Sequence, residues 1–531
     1  MRGINSEESC MVFLRNWISC GFCDEKSFTG GIRVFIRKGI EALNPKIILA
    51  TVNSKRDLYA ATTDEFSAVA PNIQMGLLAS YVKSRGIDVE IIESDVDMIS
   101  MDQLLDIAQK KSPTLLGIIC SGANPSSSTM VMAGIVDFFE RFHQRKMNVK
   151  TFIWGPHPTV LPERSLKETG ADFVVRGEGY TTIVDLFHAL RDGGDLEKIS
   201  GLAYCVKNGA VQEPAVIVTQ DTPLIKDLDS LPPVDWDVMR PSRYRAHNWH
   251  CFGDLHHRTP YAILWTSFGC PFPCNFCSIN NLFGKRTQRF RSVDRVIDEI
   301  SLLVQKYKVK HIKILDELFV VNSKRIDEFC DKLEVKGFDL NMWAYSRVDT
   351  ISRPLLKRLK KVGMNWISYG FESATPEILK TADKGNQKTD VDQVIRMTQE
   401  EGVSICADVM FGLEGENEET MNRTYDFLVK YNFEWANIYP VFAYPGTKFF
   451  REVEPPKNWK AYSLYGYECA PMATKYLTSK EVLKFRDEAF VRYHGRPEYL
   501  WMIEKKFGVD TKEHILRMIA IPLRRRLLEN E

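Results

Sequence analysis

Three cysteines stand close together in Cys270-Pro-Phe-Pro-Cys274-Asn-Phe-Cys277, just after an apolar run, Tyr261-Ala-Ile-Leu-Trp265, that reads as a strand. Thiolates are the usual protein ligands of iron–sulfur clusters, and a cube held wholly by protein takes four of them. Three on one loop leave one iron without a protein ligand, open to a second molecule. Cysteines are often buried as small apolar residues, but three within eight residues on a loop favour a cluster over scattered core thiols or a zinc knuckle. A further pair, Cys20-Gly-Phe-Cys23, has no second pair at zinc-finger spacing after it and reads as incidental thiols.

Other chemically capable residues recur at the ends of strand-like runs. In the second half, such runs cover 261–268, 311–319, 340–348, 365–373, 404–413 and 435–444, with amphipathic helical patterns such as 293–303 and 418–429 between them. Six βα repeats predict a partial parallel barrel, a fold whose function sits at the carboxyl ends of its strands. Cys270, Asp316, Glu317, Arg347, Glu372 and the stretch from Gly412 to Glu416 all fall at those ends. Arg347 is either a ligand contact or one half of a barrel-lining ion pair with Glu372.

The first half predicts a different α/β unit. Runs at 46–52, 88–94, 115–120, 150–154 and 172–176 read as strands. A helix opened by Pro71 and closed near Gly86, and others over 101–111 and 129–144, alternate with them. That order implies right-handed crossovers and a doubly wound parallel sheet. Such sheets take ligands at the strands' carboxyl ends, which here read Ser121-Gly122, Gly155-Pro-His157-Pro158 and Arg176-Gly-Glu178-Gly179. The first strand is not followed by G-x-G-x-x-G, and no G-x-x-x-x-G-K-[ST] occurs, which disfavours dinucleotides and nucleoside triphosphates. Glycines at strand ends let a large flat ligand approach the backbone, or simply make turns.

At 531 residues the chain divides into two to four domains. We read 1–44 as an N-terminal extension, 45–225 as the sheet domain, 226–258 as a proline-bearing linker, 259–450 as the barrel and 451–531 as a mainly helical extension. A net charge of +1 gives no bulk field for nucleic acid. The start lacks the apolar core of a signal peptide, and no stretch approaches the ~20 apolar residues of a membrane span. With twelve cysteines and no secretory signal, reduced thiols in a cytoplasmic protein are expected. Residues 201–209 read as a small hairpin, and Leu523-Arg524-Arg525-Arg526 as a solvated helix end. Tyr462, Tyr465, Tyr467, Cys469 and Tyr476 read as core packing, with the lining of a substrate cavity as the alternative.

Residues 45–205 resemble the cobalamin-binding domain of many radical enzymes, through the helix from Pro71 to Gly86, Gly155-Pro-His157-Pro158 and Arg176-Gly-Glu178-Gly179. None of the ten histidines lies in the D-x-H-x-x-G context that places a histidine on cobalt, so no such ligand is expected. Residues 259–450 resemble the radical S-adenosylmethionine (SAM) enzymes. The match runs through Ser267-Phe-Gly-Cys270-x-x-x-Cys274-x-Phe276-Cys277, then Phe371-Glu372-Ser373, 408–415 and Tyr444-Pro445-Gly446-Thr447. The resemblance implies a [4Fe-4S] cluster on Cys270, Cys274 and Cys277, with the amino and carboxylate groups of SAM on the open iron. Reductive cleavage of SAM would then give methionine and a 5′-deoxyadenosyl radical. It also implies Asp316 and Glu317 near the methionyl amine, Glu372 and Arg347 on the ribose or carboxylate, Gly412 beside adenine, and Ser121, Gly122, Gly155, His157, Glu178 and Gly179 around cobalamin. The domain order resembles the cobalamin-dependent radical SAM enzymes, most of which methylate unactivated carbon or phosphorus. The expected partners are a small-molecule or natural-product-like substrate and an electron donor such as flavodoxin or ferredoxin. Alternatives are a radical rearrangement, cyclisation or C–C bond formation without methyl transfer, and a non-catalytic cobalamin sensor or carrier.

Overall fold

The computed structural model describes residues 47–529, apart from 56–57, 59–64, 123–124, 207–214, 285, 386–387, 455 and 457. Cys20 and Cys23 lie outside the described residues.

The first half forms a sheet of seven strands: β1 (Ile47–Thr51), β2 (Val89–Glu93), β3 (Leu115–Ile119), β4 (Lys150–Trp154), β5 (Phe173–Val175), β6 (Leu202–Val206) and β7 (Ala215–Val218), in the order β2-β1-β3-β4-β5-β6-β7. β1 to β5 are parallel, as the alternation of strands and helices predicts. β1 and β3 are buried along their whole length, because helices cover both faces of a doubly wound sheet and leave no solvent-facing side. The hairpin expected at 201–209 is longer and belongs to the sheet: β6 pairs antiparallel with β5, and β7 with β6.

The second half opens with β8 (Tyr261–Leu264) and a two-stranded ribbon of β9 (Ser267–Phe268) and β10 (Arg289–Phe290). Then come β11 (His311–Ile314), β12 (Asn341–Ser346), β13 (Met364–Glu372), β14 (Ser404–Phe411) and β15 (Trp435–Pro440). The six long strands are all parallel, in the order β15-β14-β13-β12-β11-β8, which is an open six-stranded partial barrel. Helices such as Val293–Tyr307 and Ser323–Lys336 fill the crossovers and bury one apolar stripe each.

Three features fix one half over the other. Arg289 of β10 donates to Glu178 at 2.6 Å, and the same carboxylate accepts the N–H of Ile225 at 2.9 Å. The connector lodges Trp236 against the barrel, where its indole N–H donates to Glu299 at 2.8 Å. The C-terminal segment reaches back to the sheet: Trp459 donates to Glu168 at 2.6 Å and lies under the Arg164 guanidinium at 4.1 Å. The helix Ser479–His494 packs on β15, where buried Arg486 donates to the Ile438 carbonyl. Arg525 corrects the reading of the basic run as a solvated helix end. It is buried and non-helical, held by Asp487 and the Gly466 carbonyl, while Arg524 and Arg526 face solvent.

Candidate active site

The carboxyl ends of both sheets open onto a single cavity of about 810 Å³. Cys270, Cys274 and Cys277 line its barrel side, and among the described residues no other cysteine does. The cysteine loop is tied down at both sides. Asn275 donates its N–H and its side-chain amide to the carbonyls of Ala382 and Thr381, and Asn281 donates to that of Pro445. Burial pushes the Cys270 thiol up to about 11 and raises the other two as well, so a bound metal's charge would be needed to hold all three as thiolates.

Charged groups surround the loop. Arg347 lies over the Phe272 ring at 3.8 Å with a guanidinium nitrogen 4.0 Å from the Cys274 sulfur. Its ion pair is with Asp349, not with Glu372 as the sequence allows, and it also donates to the Lys384 carbonyl at 2.6 Å. Glu372 instead receives the Lys384 ammonium at 2.6 Å, both side chains being almost wholly buried. Sequence reasoning missed Lys384, which stands outside every recognisable motif. Gly370 makes room for the pair, because a Cβ there would come within 2.5 Å of the Glu372 carboxylate. Glu372 itself has φ +62°, a strained conformation for a non-glycine residue at the point where β13 bulges against β14.

Asp316 and Glu317, adjacent in sequence, separate in space. Asp316 turns inward and accepts from the Thr266 N–H (2.6 Å), the Thr266 hydroxyl (2.5 Å) and the Ser267 hydroxyl (2.6 Å), latching β11 to the start of the cysteine loop. Glu317 lines the cavity, its Oε1 has no hydrogen-bond partner among the described residues, and burial pushes it up to about 7. Gly412 lies off the cavity: its N–H donates to Glu416, and its open side faces Val482 of the C-terminal helix.

On the opposite wall, Ser121 and Gly122 line the cavity beside Thr51, Ser54 and Asn72. Asn72 caps the helix Ile73–Ser84 and donates to the Ser121 carbonyl at 3.0 Å, while the Ser121 hydroxyl donates to Gln74 at 2.5 Å. The other four residues assigned to this ligand lie elsewhere. Gly155 packs its α-carbon against the Cys120 carbonyl, and Gly179 packs against the Trp154 indole. His157 is 1% exposed beneath Trp459, with ring centroids 4.6 Å apart, and its Nδ1 is 3.2 Å from the Thr129 hydroxyl. Glu178 belongs to the joint with Arg289. Among the described residues no histidine of the first sheet lines the cavity. Of the five C-terminal residues, Tyr462 and Tyr465 line it, Cys469 is core, and Tyr467 and Tyr476 face solvent.

These residues fit the implied groups: three cysteine sulfurs, with no fourth among the described residues, suit a cube with one open iron, and a wall of small residues at strand ends suits a flat ligand. Residues 266–428 match the model of the Radical SAM superfamily, and residues 60–187 match that of the B12 binding domain. The uncharacterized methyltransferase PH0819 of Pyrococcus horikoshii is 30% identical over 437 residues, covering 81% of this chain and 89% of that protein. The anaerobic magnesium-protoporphyrin IX monomethyl ester cyclase of Rubrivivax gelatinosus is 27% identical over 458 residues, covering 82% of this chain and 77% of that one. The radical SAM methyltransferase TsrM of Kitasatospora setae, solved with cobalamin and a [4Fe-4S] cluster, shares the fold: TM-score 0.60 at 16% identity, over 77% of this chain and 74% of that one. The chain belongs to the cobalamin-dependent radical SAM enzyme family. Its cofactors are a [4Fe-4S] cluster, SAM and cobalamin. Among the described residues no helix is long and apolar enough to cross a membrane.

Proposed function

We propose that the protein is a cobalamin-dependent radical SAM methyltransferase acting on an unactivated carbon or phosphorus centre of a small molecule. The observation that carries this reading is the shared cavity, whose walls include both the cysteine triad and the Ser121–Gly122 end of the first sheet. When bound, the cluster with SAM supplies a 5′-deoxyadenosyl radical, and cobalamin supplies a methyl group.

The chain's own part is binding, orientation and exclusion of water. Cys270, Cys274 and Cys277 would hold the cluster and leave it open for SAM to bind. Arg347, fixed by Asp349, keeps a positive charge beside Cys274 and within reach of a carboxylate. The Lys384–Glu372 pair offers a carboxylate oxygen for ribose hydroxyls, and Glu317 offers one for the methionyl amine. Ser121 and Gly122 would present small groups to the corrin. Asp316 acts on none of these directly; it positions the cysteine loop. The reading includes a one-electron donor such as flavodoxin or ferredoxin, a cytoplasmic setting and no nucleic-acid partner.

A second reading, radical cyclisation without methyl transfer, is favoured by the relative named as a cyclase. One experiment separates the two. The anaerobically reconstituted, reduced, cobalamin-loaded protein is given SAM, and both products of SAM are quantified. Methyl transfer predicts S-adenosylhomocysteine together with 5′-deoxyadenosine. Formation of 5′-deoxyadenosine alone, with the true substrate present, overturns the methyltransferase reading in favour of the second.

A further inference from the structure

The barrel interior holds a cation for which the roles above have no use. Lys313 lies on β11 between Ile312 and Ile314, in register with Ile263 of β8 and Trp343 of β12. It is 3% exposed and lines the cavity. Among the described residues its ammonium makes no hydrogen bond and no ion pair. It lies over the rings of Trp343 at 4.6 Å and Tyr345 at 5.2 Å. A buried ammonium is costly to desolvate unless a counter-charge offsets it, and aromatic faces offset only part of that cost.

Two carboxyls attract Lys313 from nearby, but neither forms an ion pair with it. Asp408 on β14 uses its two oxygens to accept from Ser368 at 2.5 Å and Asn437 at 2.8 Å. Glu317 stands beyond the end of β11 and makes no ion pair with Lys313. Burial pushes both carboxyls up, while the Lys313 ammonium draws Glu317 back down. Burial also draws Lys313 down to about 8, which leaves it mainly cationic at neutral pH. The strand therefore carries a buried charge, with ring faces beside it, aimed into the cavity that the cysteine triad lines.

We infer that Lys313 seats the acid group of the substrate, and that the substrate is a flat, apolar organic acid whose ring system lies against Trp343 and Tyr345. Lys313 precedes the strand end that bears Glu317 by four residues, so the acid group points down the barrel. The opposite end of the molecule is thereby held up at the strand ends, between the cysteine loop and the first sheet. This inference rests on the methyl-transfer reading of the same cavity and adds the class of the acceptor.

The test is calorimetric titration of the protein reconstituted with cluster, cobalamin and SAM, using 2-naphthoate and the isosteric, uncharged 2-naphthamide as probes. The expected result is naphthoate binding about tenfold or more tighter than naphthamide. Lys313→Met should erase that preference while naphthamide affinity stays, and Lys313→Arg should keep it. Should the methionine variant not fold, the wild type and the arginine variant decide. Equal affinities for the two probes in the wild type, no binding of naphthoate at millimolar concentration, or a preference that survives Lys313→Met each overturn the inference. S-adenosylhomocysteine measured on the same preparations keeps the two readings apart. A protein that forms it but shows no acid preference refutes the substrate class alone; one with the preference but no S-adenosylhomocysteine refutes methyl transfer alone.

Discussion

The two halves of the molecule spend their strand-end residues differently. In the barrel, Cys270, Cys274, Cys277, Glu317, Arg347 and Glu372 line the cavity, while Asp316 and the stretch from Gly412 to Glu416 turn away from it. Among the sheet-domain residues assigned to the ligand from the sequence the proportion reverses: Ser121 and Gly122 line it, while Gly155, His157, Glu178 and Gly179 serve packing or the joint between the halves. A cluster and a charged cosubstrate need particular side chains at particular spacings, so their contacts are chemically conspicuous. A flat macrocycle needs shape, which backbone and small residues supply, and a glycine that makes room for a ligand looks like one that makes room for a neighbouring strand.

That contrast can be broken at the residues that define it. The largest effect is expected at Lys384→Met, which leaves Glu372 buried without its partner. Removing one member of a buried pair costs ~3–5 kcal/mol, read as a lowered denaturant midpoint, and Lys384→Met with Glu372→Gln should recover much of it. An unchanged midpoint in the single variant would mean that the pair is not buried as described.

A smaller and sharper contrast sets Gly122→Val against His157→Gln. Filling the cavity wall should cost ~1–3 kcal/mol of cobalamin binding, about fivefold or more in affinity, with little change in stability. His157→Gln should leave uptake unaltered, and a loss there equal to that of Gly122→Val would return His157 to the ligand's surface. The histidine should show instead in the pH dependence of stability. Burial holds His157 down at about 3, against about 6.5 in the unfolded chain. Both states are neutral above pH 6.5; below it only the unfolded state takes up the proton. The wild type therefore loses up to ~1.4 kcal/mol per pH unit as pH falls from about 6.5 towards 3. The glutamine variant lacks this contribution, so its deficit relative to the wild type should shrink by that amount per unit below pH 6.5.

Much of the architecture was legible in the sequence because its strands are buried on both faces and its helices are amphipathic. The six barrel runs correspond to β8 and β11 to β15, and the five sheet runs to β1 to β5. The cysteine triad was legible from three residues alone. What escaped were partners joined only by folding. Lys384 meets Glu372 across a helix and a loop, and nothing local marks it. Arg525, read as one of three solvated arginines, is distinguished from its neighbours only by the Asp487 it folds onto. Lys313 did leave a trace, a charge flanked by Ile312 and Ile314 in a strand with no solvent face.

The central claim is that the cluster and cobalamin share one cavity. Electron paramagnetic resonance of the protein reconstituted with both cofactors and partly reduced, so that both are paramagnetic, addresses this most directly. The account predicts that the two signals broaden and split one another through space, and that Cys274→Ala, by removing the cluster, restores an unperturbed cobalamin signal. Two independent, unbroadened signals from the doubly loaded wild type would contradict it.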